Sequence, residues 1–516
     1  MKINLQLLLC SILIAFFISP FLYPTENESI GELEKIVKDT SYGNYWDRRE
    51  AIPKLGKIAN QESTRILMEL LGDSEPPIQE SAVMTLAKLS DPETIAWFAE
   101  KSLSHQNQQV RINAAWTLKL LKTESAIPHL LTALKKNPGL TRAKIIEALS
   151  YMPVPPAPIK SGTETNIFDA IAGCMLDNNP LVRVAVAEAL GRIKNPNGYE
   201  ILLQKRLDSD GLVRAKVLEG LALIDPAKAK PELEKALKDN DDRGRIAAVE
   251  SLPLVDNESA WSAAVAALAD KEWTVRASAI EVLRKLRDKR AIEILNNHLT
   301  KEKWRLRYDI GKTVRDLTKI DAPSDQTVAR FFDIPVFGQN IIFIIDFSGS
   351  MKYAATKKDD QTKIELAQKE LEQTLLKFKP DQKFNIILMS TEAIKINKRT
   401  VAPRMVPAVD ANKKQALQFV ASIWDKLEDL KRGRGDMYDA LMEAFEEENV
   451  DTVFILSDGK PTYGQYVYKN NFIENLKENN RYRKIVVHTI LTGRTGTDAG
   501  FIEDIAESTG GMFVKK

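Results

Sequence analysis

The sequence predicts a multidomain chain, an all-α helical-repeat solenoid followed by a doubly wound α/β domain. Three observations predict it. Arginines recur at a fixed period between Ile30 and Lys319, strands and helices alternate over the last third, and a polar, proline-bearing stretch, Asp321-Ala-Pro-Ser-Asp-Gln326, divides the two patterns. At 516 residues the chain exceeds one ordinary core, and its 44% apolar and 28% charged composition is globular. A net charge of +2 makes no electrostatic case for nucleic acid or an anionic membrane face. The two cysteines, Cys10 and Cys174, form no disulfide framework in a chain that loses its leader, and Cys174 reads as a small buried apolar residue.

Residues 1–24 hold one early lysine and then a mostly apolar run, Ile3 to Ile18, before Ser19-Pro20 and a polar stretch from Thr25. They read as a signal peptide or an amino-terminal membrane anchor, the anchor being favoured because no small-x-small cleavage site stands out. Either outcome places the rest of the chain outside the cytoplasm, tethered or secreted.

Residues 30–320 form the repeat region. Arg183, Arg214, Arg245 and Arg276 lie 31 residues apart, as do Arg111 and Arg142. Each unit reads as two amphipathic helices and a short turn, for example Arg183 to Gly191 followed by Gly198 to Leu203; such units bury their apolar faces on one another. Weaker copies at Trp46-Asp-Arg-Arg49, Ile78-Gln-Glu80 and Trp304-Arg-Leu-Arg307 bring the count to about eight or nine. Arg142 to Arg183 spans 41 residues, and the excess falls in Tyr151-Met-Pro-Val-Pro-Pro-Ala-Pro-Ile159, a proline-rich surface loop. The arginines are expected to pair with acidic turns such as Asp177 and Asp208. These units resemble HEAT repeats, especially the short HEAT-like form of phycobilisome lyases. The solenoid implies a concave surface for a second protein partner.

After a linker at 321–336, residues 337–516 make the second domain. Ile341 to Ile345 is an apolar run, the pattern of a strand buried on both faces, and it ends in Asp346-Phe-Ser348-Gly-Ser350. A carboxylate and two hydroxyls thus stand at the carboxyl end of a central strand, where open sheets place ligands and where hard divalent cations find oxygen donors. Thr452 to Ser457 is a second buried strand, ending in Asp458-Gly-Lys-Pro461. Phe384 to Met389 and Lys484 to Leu491 add strands, and helices are expected at Lys363–Phe378, Asn412–Leu430, Met437–Glu448 and Tyr468–Glu478. Between the two loops lies Gly433-Arg-Gly-Asp-Met437, and the chain closes on Ile505 to Val514.

In this order the motifs resemble the von Willebrand factor type A family over roughly the last third of the chain. The resemblance implies a Rossmann-like α/β domain bearing a metal-ion-dependent adhesion site. It implies direct ligation by Ser348 and Ser350 and water-mediated contact from Asp346 and Asp458. The cation, magnesium by expectation with calcium or manganese as alternatives, would take an Asp or Glu carboxylate of a protein partner in its open position. The chain departs from the family at Gly435, where a threonine is usual. Asp436 is expected to reach the cation instead, directly or through water, which would shift preference towards calcium. Arg434-Gly435-Asp436 also spells the tripeptide that integrins recognise, but the metal loop already accounts for it.

The expected function is therefore exported, metal-dependent protein binding. The alternatives are a metal-free scaffold acting through the repeats and an enzyme related to the HEAT-like phycobilin lyases. His105, His129, His298 and His488 are scattered, and no His-Glu-x-x-His, Cys-x-x-Cys, Walker A or Gly-x-Ser-x-Gly pattern occurs, so catalysis is not expected.

Overall fold

The computed structural model describes residues 29–41, 44–153, 167–318, 328–354, 361–391, 399–426, 433–492 and 499–516. The leader, most of the proline-rich loop and the first part of the linker lie outside the described residues. Among the described residues, no helix is long and apolar enough to cross a membrane.

The repeats form as their caps and periodicity dictate. Helix Gly211–Ile224 starts where the Asp210 carboxylate accepts from the Leu212 and Val213 N–H groups, and it buries Val213, Val217 and Leu221. Helix Pro180–Ile193 opens on a proline with Asn179 as its cap and ends in left-handed Lys194. These two helices touch closely: a Cβ on Gly191 would lie 2.9 Å from the Gly220 Cα. Nine helices form a row among the described residues, from Tyr45–Ile58 to Trp304–Thr318, each packed on the next; all but Pro76–Leu86 carry an arginine.

The arginines link successive repeats. Arg183 grips Asp208 through Nε and Nη2 (2.8 and 2.7 Å), Arg214 grips Asp239 (2.8 and 2.6 Å) and Arg245 grips Asp270 (2.7 and 2.9 Å). Arg48 pairs with Asp73, Arg142 with Asp177 and Arg276 with Glu302. Each remaining Nη1 of the central three donates to a carbonyl six residues earlier, tying down the arginine's own turn. Arg111 lacks an acidic partner at the equivalent place, where Lys136 stands, and bonds the His105 and Gln106 carbonyls instead. Cys174 is only half-buried, because its short 3-10 turn lies at the edge of the core.

The second domain opens on a hairpin, β1 (Arg330–Phe331) and β2 (Ile334–Pro335). Its sheet comprises β3 (Asn340–Asp346), β4 (Lys383–Met389), β5 (Val406–Pro407), β6 (Thr452–Ser457), β7 (Val486–Leu491) and β8 (Phe513–Lys515), in the order β5-β4-β3-β6-β7-β8. Only β5 runs antiparallel. Alternation along β3 sends Ile341, Phe343 and Ile345 into one core and Ile342 and Ile344 into the other. Strand order reverses at β3, so the carboxyl ends of β3 and β6 flank the switch-point crevice.

The α/β domain sits against the row of helices. At one end the Tyr45 hydroxyl donates to the Thr462 carbonyl (2.8 Å). At the other, Arg305 donates to the carbonyls of Asp451 and Lys484 (3.0 and 2.8 Å), and Tyr308 stacks on Phe337. The chain's own α/β domain thus covers part of the repeat surface on which a second protein partner is expected. The cause is a second register, five residues beyond the arginines: Glu219 accepts from Arg481 and Tyr482, and Glu250 from Lys484.

Candidate metal centre

β3 delivers Asp346 to the crevice, and the loop after it folds back on that carboxylate. The Ser348 N–H donates to Asp346 Oδ1 (2.8 Å), and Ser457, last residue of β6, donates its hydroxyl to Asp346 Oδ2 (2.7 Å). Ser348 and Ser350 hold their hydroxyl oxygens 3.1 Å apart, and Ser350 donates to Asp458 Oδ1 (3.0 Å). The other oxygen of Asp458 meets the Lys363 ammonium at 2.6 Å. Asp346, Ser348, Ser350 and Asp458 thus line one cavity of about 310 Å³. Burial, and then the negative charge of Asp458, push the Asp346 carboxyl well above the usual carboxylate range.

Asp436 is placed differently. Fully buried before helix Met437–Glu446, it pairs with Arg399, which also meets Glu443. Burial still lifts the Asp436 carboxyl to about 7, against the pull of Arg399, and among the described residues its Oδ1 has no hydrogen-bond partner. It does not line the cavity. Gly435 does: a Cβ there would stand 3.9 Å from Asp346 Oδ2 and 3.7 Å from Met389 Cε, ordinary contact distances. The threonine position therefore faces the site with room for a side chain.

The donor set suits a hard cation. Its oxygen donors are the Asp346 and Asp458 carboxylates and the serine hydroxyls; the Lys363 ammonium meets Asp458, and Lys460 and Arg434 also line the cavity. Among the described residues no three His, Cys, Asp or Glu side chains group to hold a metal, so a cation here must draw on the serines. Residues 339–514 match the von Willebrand factor type A domain; residues 33–100, 167–253 and 231–315 match HEAT repeats, and 110–136 the PBS lyase HEAT-like repeat. The chain carries HEAT-like repeats and a von Willebrand factor type A domain. Together these make it a protein-interaction scaffold.

Among solved structures the HEAT-repeat and type A chain is similar to the complex of CpcE and CpcF of phycocyanin lyase from Nostoc sp. PCC7120, at 19% identity over 46% of this chain and 91% of that one, TM-score 0.30. It is similar to YibA from Escherichia coli at 24% identity over 46% and 85%, TM-score 0.35. An engineered protein is similar at 15% identity over 75% and 98%, TM-score 0.27. None of these likenesses bears on what the chain does. No curated protein matches it.

Sequence reasoning missed three residues of the type A site. Lys363 is hidden in the first turn of a helix capped by Thr362, and nothing in its spacing signals the cavity. Ser457 was legible as the residue before Asp458. Trp46, from the first arginine-bearing helix, lines the same cavity across the domain boundary, which no local pattern reveals. The integrin tripeptide reading has no geometric support, since Asp436 is buried and the Arg434 guanidinium lies between the Tyr45 and Tyr463 rings (4.1 and 4.3 Å). His488 is buried, stacked on Phe454, and burial drives it down to about 3.

Proposed function

We propose that the chain is an exported binding protein, not an enzyme, whose type A head captures a partner protein through a divalent cation. Ser348, Ser350, Asp346 and Asp458 would hold the ion, magnesium by preference with calcium or manganese as alternatives. The bound ion supplies a Lewis-acidic position for an Asp or Glu carboxylate of the partner. The repeats act as the scaffold that carries the head. The observation that carries this reading is the convergence of these four oxygen-bearing side chains at the switch point, with Asp346 buried and incompletely neutralised. Binding rather than turnover is favoured because, among the described residues, no histidine or cysteine lines the cavity beside its carboxylates, serines and Lys460. The apolar run within residues 1–24 supports placement outside the cytoplasm, secreted or tethered to the membrane by its amino terminus.

Titration calorimetry of the full chain with magnesium, calcium and manganese tests this. Saturable binding of at least one ion, weakened about tenfold or more in Ser350→Ala, is expected. No heat with any ion contradicts the metal reading and leaves the metal-free scaffold standing.

A further inference from the structure

We propose that the metal cavity is a two-domain recognition site, in which the head takes a partner's acidic side chain and Trp46 of the repeats takes an apolar side chain beside it. The proposal rests on the carboxylate-capture reading and adds the class of partner: a protein segment in which Asp or Glu adjoins an aromatic or branched aliphatic residue.

Trp46 is 52% exposed, whereas its neighbour Tyr45 is 7% exposed. The Arg49 guanidinium lies 5.6 Å from the Trp46 ring centroid, and the rest of the indole offers the rim of a charged site apolar area that a partner side chain can cover. Trp46 lines the cavity together with Asp346, Ser350 and Asp458.

The indole is held there from both domains. Tyr45 packs edge-on against Trp46 at 5.0 Å, and the Tyr45 hydroxyl donates to the Thr462 carbonyl at 2.8 Å. The Thr462 and Tyr463 N–H groups in turn donate to the Gly435 carbonyl (3.2 and 3.0 Å), within the metal loop. Arg434 lies between Tyr45 and Tyr463 and meets Glu75 of the repeats at 3.4 Å. The metal loop and the Trp46 wall are therefore one clamped unit. Adjacent residues of a bound segment have Cα atoms 3.8 Å apart, so a segment anchored by one carboxylate in a cavity of about 310 Å³ brings its neighbouring side chains to the walls. Charge selects the acidic residue, and the indole selects what flanks it.

The test uses the full chain with saturating manganese and four probes: acetyl-Gly-Gly-Glu-Gly-Gly-amide, the same peptide with Phe before or after the Glu, and a Phe-bearing peptide with Gln for Glu. Titration calorimetry should show at least one Phe–Glu peptide binding about tenfold tighter than the all-glycine one. In Trp46→Ala that ratio should fall to within about twofold, and Trp46→Phe should keep part of it. A ratio compares two peptides on one protein, so partial unfolding of a variant does not mimic the effect. Manganese-dependent binding of all the glutamate peptides with no preference, or with a preference that survives Trp46→Ala, overturns the role of Trp46 while capture stands. Absence of manganese-dependent binding, or equal binding of the Gln peptide, overturns capture and this proposal with it.

Discussion

Two sets of aspartates divide this molecule. Those of the repeats are satisfied: burial alone would raise Asp208, Asp239 and Asp270, but bidentate arginines hold all three below the usual carboxylate range. Asp346 of the head differs: buried and held by the Ser348 N–H and the Ser457 hydroxyl, it is pushed upward. The same residue type is structural where a cation is built into the chain, and poised where neutralisation is incomplete.

The comparison breaks most visibly in the ladder. Arg214→Ala leaves the Asp239 carboxylate without its guanidinium between two repeats and should cost about 3 kcal/mol, read as a lowered urea midpoint for the repeats. A change within about 0.5 kcal/mol, the size of an ordinary surface substitution, would mean the ladder is ornamental.

Sharpening the head gives the next effect. Gly435→Thr places a hydroxyl at the position facing Asp346 and should tighten metal binding about tenfold, measured by calorimetry. Unchanged affinity would show that the loop cannot present a ligand from that position.

The smallest effect lies at the seam between the domains. Glu80 of the repeats accepts from the Val467 and Tyr468 N–H groups and from Asn471 (2.6, 3.3 and 2.7 Å), and burial lifts its carboxyl from the ordinary 4.5 to about 7. A carboxyl raised on folding holds its proton more tightly in the folded state. Its contribution is therefore fully present below pH 4.5 and is lost as pH rises through 7. Glu80→Gln should flatten that part of the dependence of the melting temperature on pH between about 5 and 8. An unchanged slope would assign the dependence to other groups.

Much of this was legible before any coordinates. The 31-residue arginine register marked the repeats, and the Asp177 and Asp208 pairings followed where the next turn carries an acid, which Arg111 lacks. Asp346, Ser348, Ser350 and Asp458 were legible because strand ends at a switch point converge whatever the intervening sequence. Asp436 was not: whether a loop carboxylate turns to the crevice or to Arg399 depends on tertiary packing that spacing does not encode. The domain docking was equally hidden, since Glu219 and Glu250 look like solvated helix positions until Arg481 and Lys484 arrive from the other domain.

The most direct test is thermal unfolding of the full chain and its Asp346→Asn variant, each with chelator and with saturating magnesium or manganese. Asparagine keeps an acceptor for the Ser348 N–H and removes the buried charge. The account predicts a crossing. With chelator the variant melts at or above the wild type, and with metal only the wild type rises, by an amount that grows with ion concentration. A variant that melts well below the wild type in chelator, with neither protein responding to metal, would contradict it and make Asp346 a structural carboxylate like those of the repeats.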